Sequence, residues 1–441
     1  MQLALAQDLA HLALKLKDET ADPKNRRLVR QCLIDAVAAA LAGYDSPVAT
    51  IALRFAMNGL GSGAAAPWFH DCVGVTTVGA AFVNSSAMSA LDIDDGNRAA
   101  RGHLGAAVIP AASAFGAVSD ASAETFAHAI LAGCEIGARL GAAESPPFFA
   151  SGRWAGVGAA IATGICLGLD ENHLTNAIAL SVHAAPLMAA AGVRASMTGH
   201  IKEGVPFGLL SGVTAALLAR EGYRGDPDAV ESSRIYDAVR LADFADTTSA
   251  FKRTYFKRYT CCRLAHAPID AATTIVEREK IGIWDIDRVT VRTFRTAIEL
   301  PNEVRPQSFE SAQYSLPFAI AAALIRGKDS LLPLTADALH DKEIAVLAER
   351  IDLEYVPEFD SLYPMTTPTI VRISTYSGGT FEEQRETADG DPGRPFTNGQ
   401  LIEKLRTLAH NKVSENRIAA LIDLLCGQMP GAREFDSALR R

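Results

Sequence analysis

The chain reads as a mainly α protein with a smaller α+β domain inserted before its end. Two observations lead there. Residues 31–41, 124–140, 156–169, 172–193 and 208–220 place apolar side chains at helical spacing and are rich in Ala and Gly. Between roughly 265 and 385 the pattern changes to short β-prone stretches separated by helices.

The elements follow in order. Gly43 closes the first helix, and Asp170 and Asn172 can cap the helix at 172. Small side chains let such helices approach closely, which implies a compact bundle. In the inserted part, 287–294 alternates through Val289, Val291 and Thr293, and 351–356 is short and β-prone. Residues 369–376 set Ile370, Arg372 and Ser374 against Val371, Ile373 and Thr375. Helices are expected at 311–326 and 343–350. Gly378-Gly379 reads as a turn and Asp389-Gly-Asp-Pro-Gly-Arg-Pro395 as a linker, after which helix resumes at 400–426. The expected division is a discontinuous helical domain, 1–260 with 393–441, and an α+β lid domain at 261–392.

Composition excludes several classes. A chain of 441 residues exceeds one ordinary core. A net charge of −9 without a basic patch points away from nucleic acid. The first ten residues lack a basic region and carry Asp8, unlike a signal peptide. No apolar run reaches the roughly 18–20 residues that span a bilayer, so no membrane partner is expected. Cys32, Cys134 and Cys166 sit within helical patterns, as reduced core residues of a cytoplasmic protein do. Cys261 and Cys262 are adjacent, without a C-x-x-C partner, and read as small apolar residues rather than zinc ligands or nucleophiles.

The chemistry concentrates in one loop. Asp92, Asp94, Asp95, Arg98, Arg101 and His103 fall within twelve positions, between apolar segments at 79–91 and 105–118. Charge set between buried segments needs partners, and its pKa values shift. That is the pattern of a catalytic cleft. Asp94 reads as structural, bonding the loop's own amides.

Four blocks then carry a resemblance. They are Leu91-Asp-Ile-Asp-Asp95 with His103-Leu-Gly-Ala-Ala-Val-Ile-Pro-Ala; Lys202 with Gly212-Val-Thr-Ala-Ala-Leu-Leu-Ala-Arg-Glu-Gly-Tyr-Arg-Gly225; Phe256-Lys-Arg-Tyr-Thr-Cys-Cys-Arg-Leu-Ala-His266; and Ser311-Ala-Gln-Tyr-Ser-Leu-Pro-Phe-Ala-Ile-Ala-Ala-Ala-Leu-Ile-Arg-Gly327. In this order they resemble the MmgE/PrpD family, which includes 2-methylcitrate dehydratase, cis-aconitate decarboxylase and iminodisuccinate epimerase. The resemblance implies an all-helical bundle with an α+β lid, a homodimer, and chemistry without metal or organic cofactor. It places Asp92, His103 and Lys257 in catalysis.

This sequence also departs from the family. Gly96 stands where Thr is usual after Asp-x-Asp-Asp, Phe149 where a His is expected, Gly204 at a further His position, and Phe318 for the Tyr of Ser-Leu-Pro-Tyr. Lys202 is one position off register. Dehydration needs a base for the α-proton and an acid for the leaving hydroxide. Epimerisation needs only removal and return of a proton, with cations to hold the enolate-like charge. The expected function is therefore a cofactor-independent epimerase of a polycarboxylate such as iminodisuccinate. Lys257 and His103 would be its two bases, with Lys257 made neutral by burial and nearby cations. A dehydratase or decarboxylase of a citrate-like acid, and an inactive polycarboxylate-binding relative, are the alternatives. Substrate-binding candidates are Arg98, Arg101, Lys202, Arg263, His266 and Tyr314, because paired guanidinium donors suit carboxylates. Tyr314 lies four residues before Phe318, on the same face of the expected helix, where its hydroxyl could replace the missing one. Arg153, His200 and Arg258 are further cations near the matched blocks.

Overall fold

In the computed structural model of the protein, residues 5–70, 74–145, 150–186, 199–242 and 248–440 are described. Long Ala-rich helices build one core: Pro23–Gly43, Thr77–Ser89, Gly105–Ser119, Ala123–Ala143, Gly152–Cys166 and Val205–Arg220. Asn398–Ala409, Glu415–Cys426 and Ala432–Leu439 return to it. This core draws on residues between Ala6 and Phe256 and again from Phe396 to Leu439. Its tightest seam joins Gly152–Cys166 to Val205–Arg220. A Cβ at Gly212 would meet the Gly156 carbonyl oxygen at 1.9 Å, and one at Gly208 would meet that of Gly152 at 2.1 Å. Glycine here lets two backbones touch, and that contact sets the turn at Lys202–Gly204 against the start of the neighbouring helix.

The second core lies between Tyr259 and Ile373. It contains a mixed four-stranded sheet. With β1 as Gly96–Asn97 and β2 as Thr254–Tyr255, its strands are β3 (Ile286–Thr293), β4 (Ile351–Tyr355), β5 (Thr369–Thr375) and β6 (Thr380–Arg385), in the order β4-β3-β5-β6. β3 and β4 run parallel, and the other pairs are antiparallel. Val289, Val291, Val371 and Ile373 turn inward onto the helices His266–Glu279 and Leu316–Arg326. The expected class, mainly α with a small α+β part, is what the structure shows.

Individual elements differ from expectation. Residues 311–326 are not one helix. Phe309–Gln313 ends at Tyr314, and Ser315 caps a new helix whose first turn carries Pro317. Proline suits a first helical turn but cannot continue a helix. Tyr314 and Phe318 therefore do not share a helix face. β6 went unread because its side chains alternate only between exposed and half-buried. Residues 400–426 form two helices, broken around 410–414. The helix expected at 172–193 is Glu171–His183, and residues 187–198 lie outside the described residues, as does Phe149. Among the described residues no single helix is long and apolar enough to cross a membrane.

Candidate active site

The charged loop is not a solvated turn. It links helix Thr77–Ser89 to helix Gly105–Ser119, and nearly every residue from Asp92 to His103 is buried. β1 pairs with β2, Asn97 donates through its side-chain amide to the Ala250 carbonyl, and the Arg98 amide donates to the Arg253 carbonyl at 3.0 Å. The segment that carries Lys257 is thereby tied to the loop. From behind, Lys404 donates to Asp35 at 2.6 Å and to the Ile93 carbonyl at 2.7 Å. Four residues here hold positive φ without being glycine: Asp92 (54°), Arg101 (60°), Lys202 (44°) and Glu203 (56°). Each such residue costs on the order of 1–3 kcal/mol and persists where surrounding structure enforces it, which is typical of functional sites.

These residues border one cleft. Asp92, Arg98, Arg101, His103, Lys257, Arg263 and Tyr314 all line it. Lys202 reaches Asp92 from the side, its Nζ 3.7 Å from Oδ1, 2.5 Å from Gln313 Oε1 and 5.2 Å from the centre of the Tyr314 ring. His266 is the exception. It lies behind Arg263, its Nδ1 accepting from the guanidinium at 3.1 Å and its Nε2 donating to the Cys261 carbonyl at 3.3 Å. Burial, then Arg263 and Lys257, push its pKa well down, so it is a neutral support of the arginine. Of the further cations, Arg153 pairs with Glu144 at 2.8 Å, Arg258 with Asp329, and half-exposed His200 faces Glu310.

Two carboxylates organise the charge. Lys257 Nζ donates to the Asp92 carbonyl at 2.9 Å and pairs in charge with Oδ2 at 2.9 Å, while His103 Nε2 lies 3.3 Å from Oδ1. Burial would raise the Asp92 carboxyl, but Lys257, Lys202 and His103 hold it well below the usual range. His103 Nδ1 is 3.0 Å from both Asp94 Oδ2 and the Asp95 carbonyl. Burial alone would lower the imidazole; Asp94 and the hydrogen bonds to Asp92 and Asp94 outweigh it and push the pKa up to about 10. Lys257 is likewise raised, because Asp92 outweighs its burial. The expectation of a neutral lysine thus fails: nearby cations are present, but the carboxylate is closer. Asp94, Asp92 and His103 offer ligand atoms within 4.8 Å of one another. The Lys257 ammonium and the imidazolium already neutralise that set, so we do not read it as a metal site.

Asp391 is the second organiser. It binds Arg98 through Nε at 2.7 Å and Nη2 at 2.5 Å, and Arg263 Nη2 at 3.0 Å. The two arginines hold its carboxyl down at about 2 against the opposing effect of burial. The presumed linker at 389–395 is therefore an anchor, and its central aspartate is 2% exposed. Two arginines in apolar surroundings needed a counter-charge, a signal the turn-rich composition hid. Arg101 has no carboxylate within ion-pair distance among the described residues; its guanidinium donates to the Gly141 carbonyl at 3.4 Å.

Sequence reasoning also missed Glu203, Ser151 and Tyr255. Glu203 lines the cleft and accepts from the Ser151 hydroxyl at 2.5 Å, while Ser151 Oγ accepts from the His103 amide at 3.1 Å. Cys262 also lines the cleft, but burial pushes its thiol up to about 12, which keeps it unreactive.

A helical core, an α+β core and a cation-rich cleft shared by both are the architecture of one known group. Residues 7–245 match the MmgE/PrpD N-terminal domain and 259–426 the MmgE/PrpD C-terminal domain; the chain belongs to the MmgE/PrpD family. It is similar to cis-aconitate decarboxylase of Aspergillus terreus, 26% identical over 388 residues, spanning 79% of this chain and 78% of the relative. It is also similar to cis-aconitate decarboxylase of Homo sapiens, 24% identical over 426 residues, spanning 90% and 86%. The Mus musculus enzyme of that name is 24% identical over 376 residues, spanning 78% and 74%. These relatives overturn the epimerase expectation.

Proposed function

We propose that the chain is a lyase acting on a small polycarboxylate, a decarboxylase of cis-aconitate or a closely similar tricarboxylic acid. The observation that carries this reading is the geometry of the cleft, where Arg98, Arg101 and Arg263 stand beside a histidine and a lysine set against buried carboxylates. His103 lies between Asp92 and Asp94, whose charges push its pKa up, and Lys257 shares Asp92 with it. Loss of carbon dioxide from a carboxylate one carbon away from a double bond breaks a carbon–carbon bond. Its electron pair forms a new double bond, the old one shifts, and the distal carbon takes up one proton. No base is needed. The reaction needs fixed cations for the charge that moves toward the remaining carboxylate, and an acid placed at carbon.

Arg98, Arg101 and Arg263 supply the fixed charge, and Lys202 and Lys257 hold Asp92. His103 donates from Nε2, because Asp94 and the Asp95 carbonyl secure Nδ1. Tyr314 lines the same cleft with a hydroxyl that burial keeps protonated, and is the alternative donor. A dehydratase of a citrate-like acid is the second reading, favoured by Glu203. It is a cleft-lining carboxylate with no cation at ion-pair distance among the described residues, and it could take an α-proton. One assay separates the two. Incubation with cis-aconitate is expected to release one carbon dioxide per molecule consumed. Consumption of a hydroxy acid with new ultraviolet absorbance and no gas would establish elimination instead.

Reaction without metal or organic cofactor, a cytoplasmic location and a homodimer belong to the same proposal. The dimer rests on the family and is checked by light scattering at micromolar concentration, where a monomeric mass would count against it.

A further inference from the structure

Tyr255 is the second residue of β2 and stands directly opposite Gly96 of β1. Paired residues on an antiparallel ladder share a face, so the phenol lies over the glycine. A Cβ at position 96 would stand 2.3 Å from both the ring Cζ and the hydroxyl oxygen of Tyr255. Only glycine leaves that space, and the phenol fills it. Two guanidiniums lie against the ring. The guanidiniums of Arg98 and Arg263 each lie 5.0 Å from its centre, and Asp391 fixes both.

Tyr255 is 6% exposed, yet it lines the cleft beside Asp92, Arg101 and Lys257. Among the described residues its hydroxyl has no hydrogen-bond partner. A largely buried phenol without a partner is costly unless a ligand or water completes it. Burial raises its pKa, so the oxygen carries its proton across the neutral range.

We infer that Tyr255 is a substrate-binding residue, its hydroxyl donating to a carboxylate of the bound polycarboxylate from the space that Gly96 keeps open. The arginines supply charge, while the phenol supplies direction. This inference rests on the polycarboxylate reading above and adds a neutral donor to it.

The test uses tricarballylate, a saturated tricarboxylate with neither hydroxyl nor double bond, so binding is measured without turnover. Tyr255→Phe removes one oxygen and leaves the ring against its guanidiniums. Calorimetry is expected to show affinity for tricarballylate about ten-fold or more weaker, the scale of a hydrogen bond to a charged group. In turnover the variant raises KM more than it lowers kcat. Gly96→Ala is expected to displace the ring and lose at least as much affinity. Should Gly96→Ala fail to fold, Tyr255→Phe carries the test alone. Affinity of Tyr255→Phe within two-fold of wild type would overturn the inference while leaving the polycarboxylate reading intact. Wild-type protein that binds tricarballylate no better than acetate would overturn both.

Discussion

The two ends of the cleft use one buried aspartate each, and use it differently. Asp92 is surrounded by groups that can lose protons: His103, Lys257 and Lys202. Asp391 is surrounded by two guanidiniums that cannot. The first end is therefore suited to moving a proton, and the second to holding negative charge still. Burial is nearly identical at 2% exposure for both aspartates, so partner chemistry and not depth makes the difference.

The largest expected effect is at the proton end. His103→Gln keeps a polar side chain but removes the acid. It should lower kcat by at least about a hundred-fold, within the range of general acid catalysis, with tricarballylate affinity little changed. A loss under ten-fold would move the donor role to Tyr314. At the other end, Asp391→Ala should chiefly cost stability. It leaves two buried guanidiniums without their carboxylate, and breaking such a pair typically costs about 3–5 kcal/mol. Denaturant unfolding would show this, and a variant as stable as wild type would erase the contrast between the ends.

Arg101 sharpens the comparison, since it has no carboxylate within ion-pair distance among the described residues. Arg101→Met should raise KM about ten-fold and leave kcat nearly unchanged, the signature of lost ground-state binding. An equal fall in kcat would instead make Arg101 part of the transition-state charge sink.

The smallest effect is on pH dependence. The folded value for His103, about 10, lies above its ordinary 6.5. Its contribution to stability is thus complete below about pH 6.5 and fades as pH rises through 10. Asp95, pushed up to about 8 by burial and by Asp35 and Asp94, binds its proton more tightly folded than unfolded, so stability also falls between about pH 4 and 8. Asp391 acts oppositely: its contribution is present above its ordinary 3.8 and is lost as pH falls through 2. Melting temperature across pH 4–10 should accordingly decline toward alkaline pH, and kcat should fall near pH 10. His103→Gln should flatten the alkaline part of the melting curve.

The contrast between the ends also shows what a sequence discloses. The Asp92–His103 loop was legible because its charges sit together between apolar segments. Asp391 was not, because its partners are 293 and 128 residues away and its neighbours Gly390, Pro392 and Gly393 read as a linker. The same separation hid Lys404, whose aspartate lies on a helix 369 residues earlier. Apolar periodicity disclosed the long central helices, but the amphipathic helices Leu5–Lys15, Pro47–Gly59 and Ala432–Leu439 were not read. The break at Tyr314 needed the combined weight of the Ser315 cap and Pro317, which periodicity alone does not register. The absence of the family's usual donors at Gly96, Gly204 and Phe318 led to the epimerase reading, which the similarity to cis-aconitate decarboxylases overturned.

The central claim is that this cleft delivers a proton to carbon as carbon dioxide leaves. Incubation of the wild-type protein with cis-aconitate in deuterium oxide, followed by NMR of the product and assay of released carbon dioxide, tests it most directly. The expected result is one carbon dioxide per molecule consumed and one deuterium on the carbon that receives the proton. Exchange of α-hydrogens in a polycarboxylate with its carbon count unchanged, and no carbon dioxide from cis-aconitate, would contradict it.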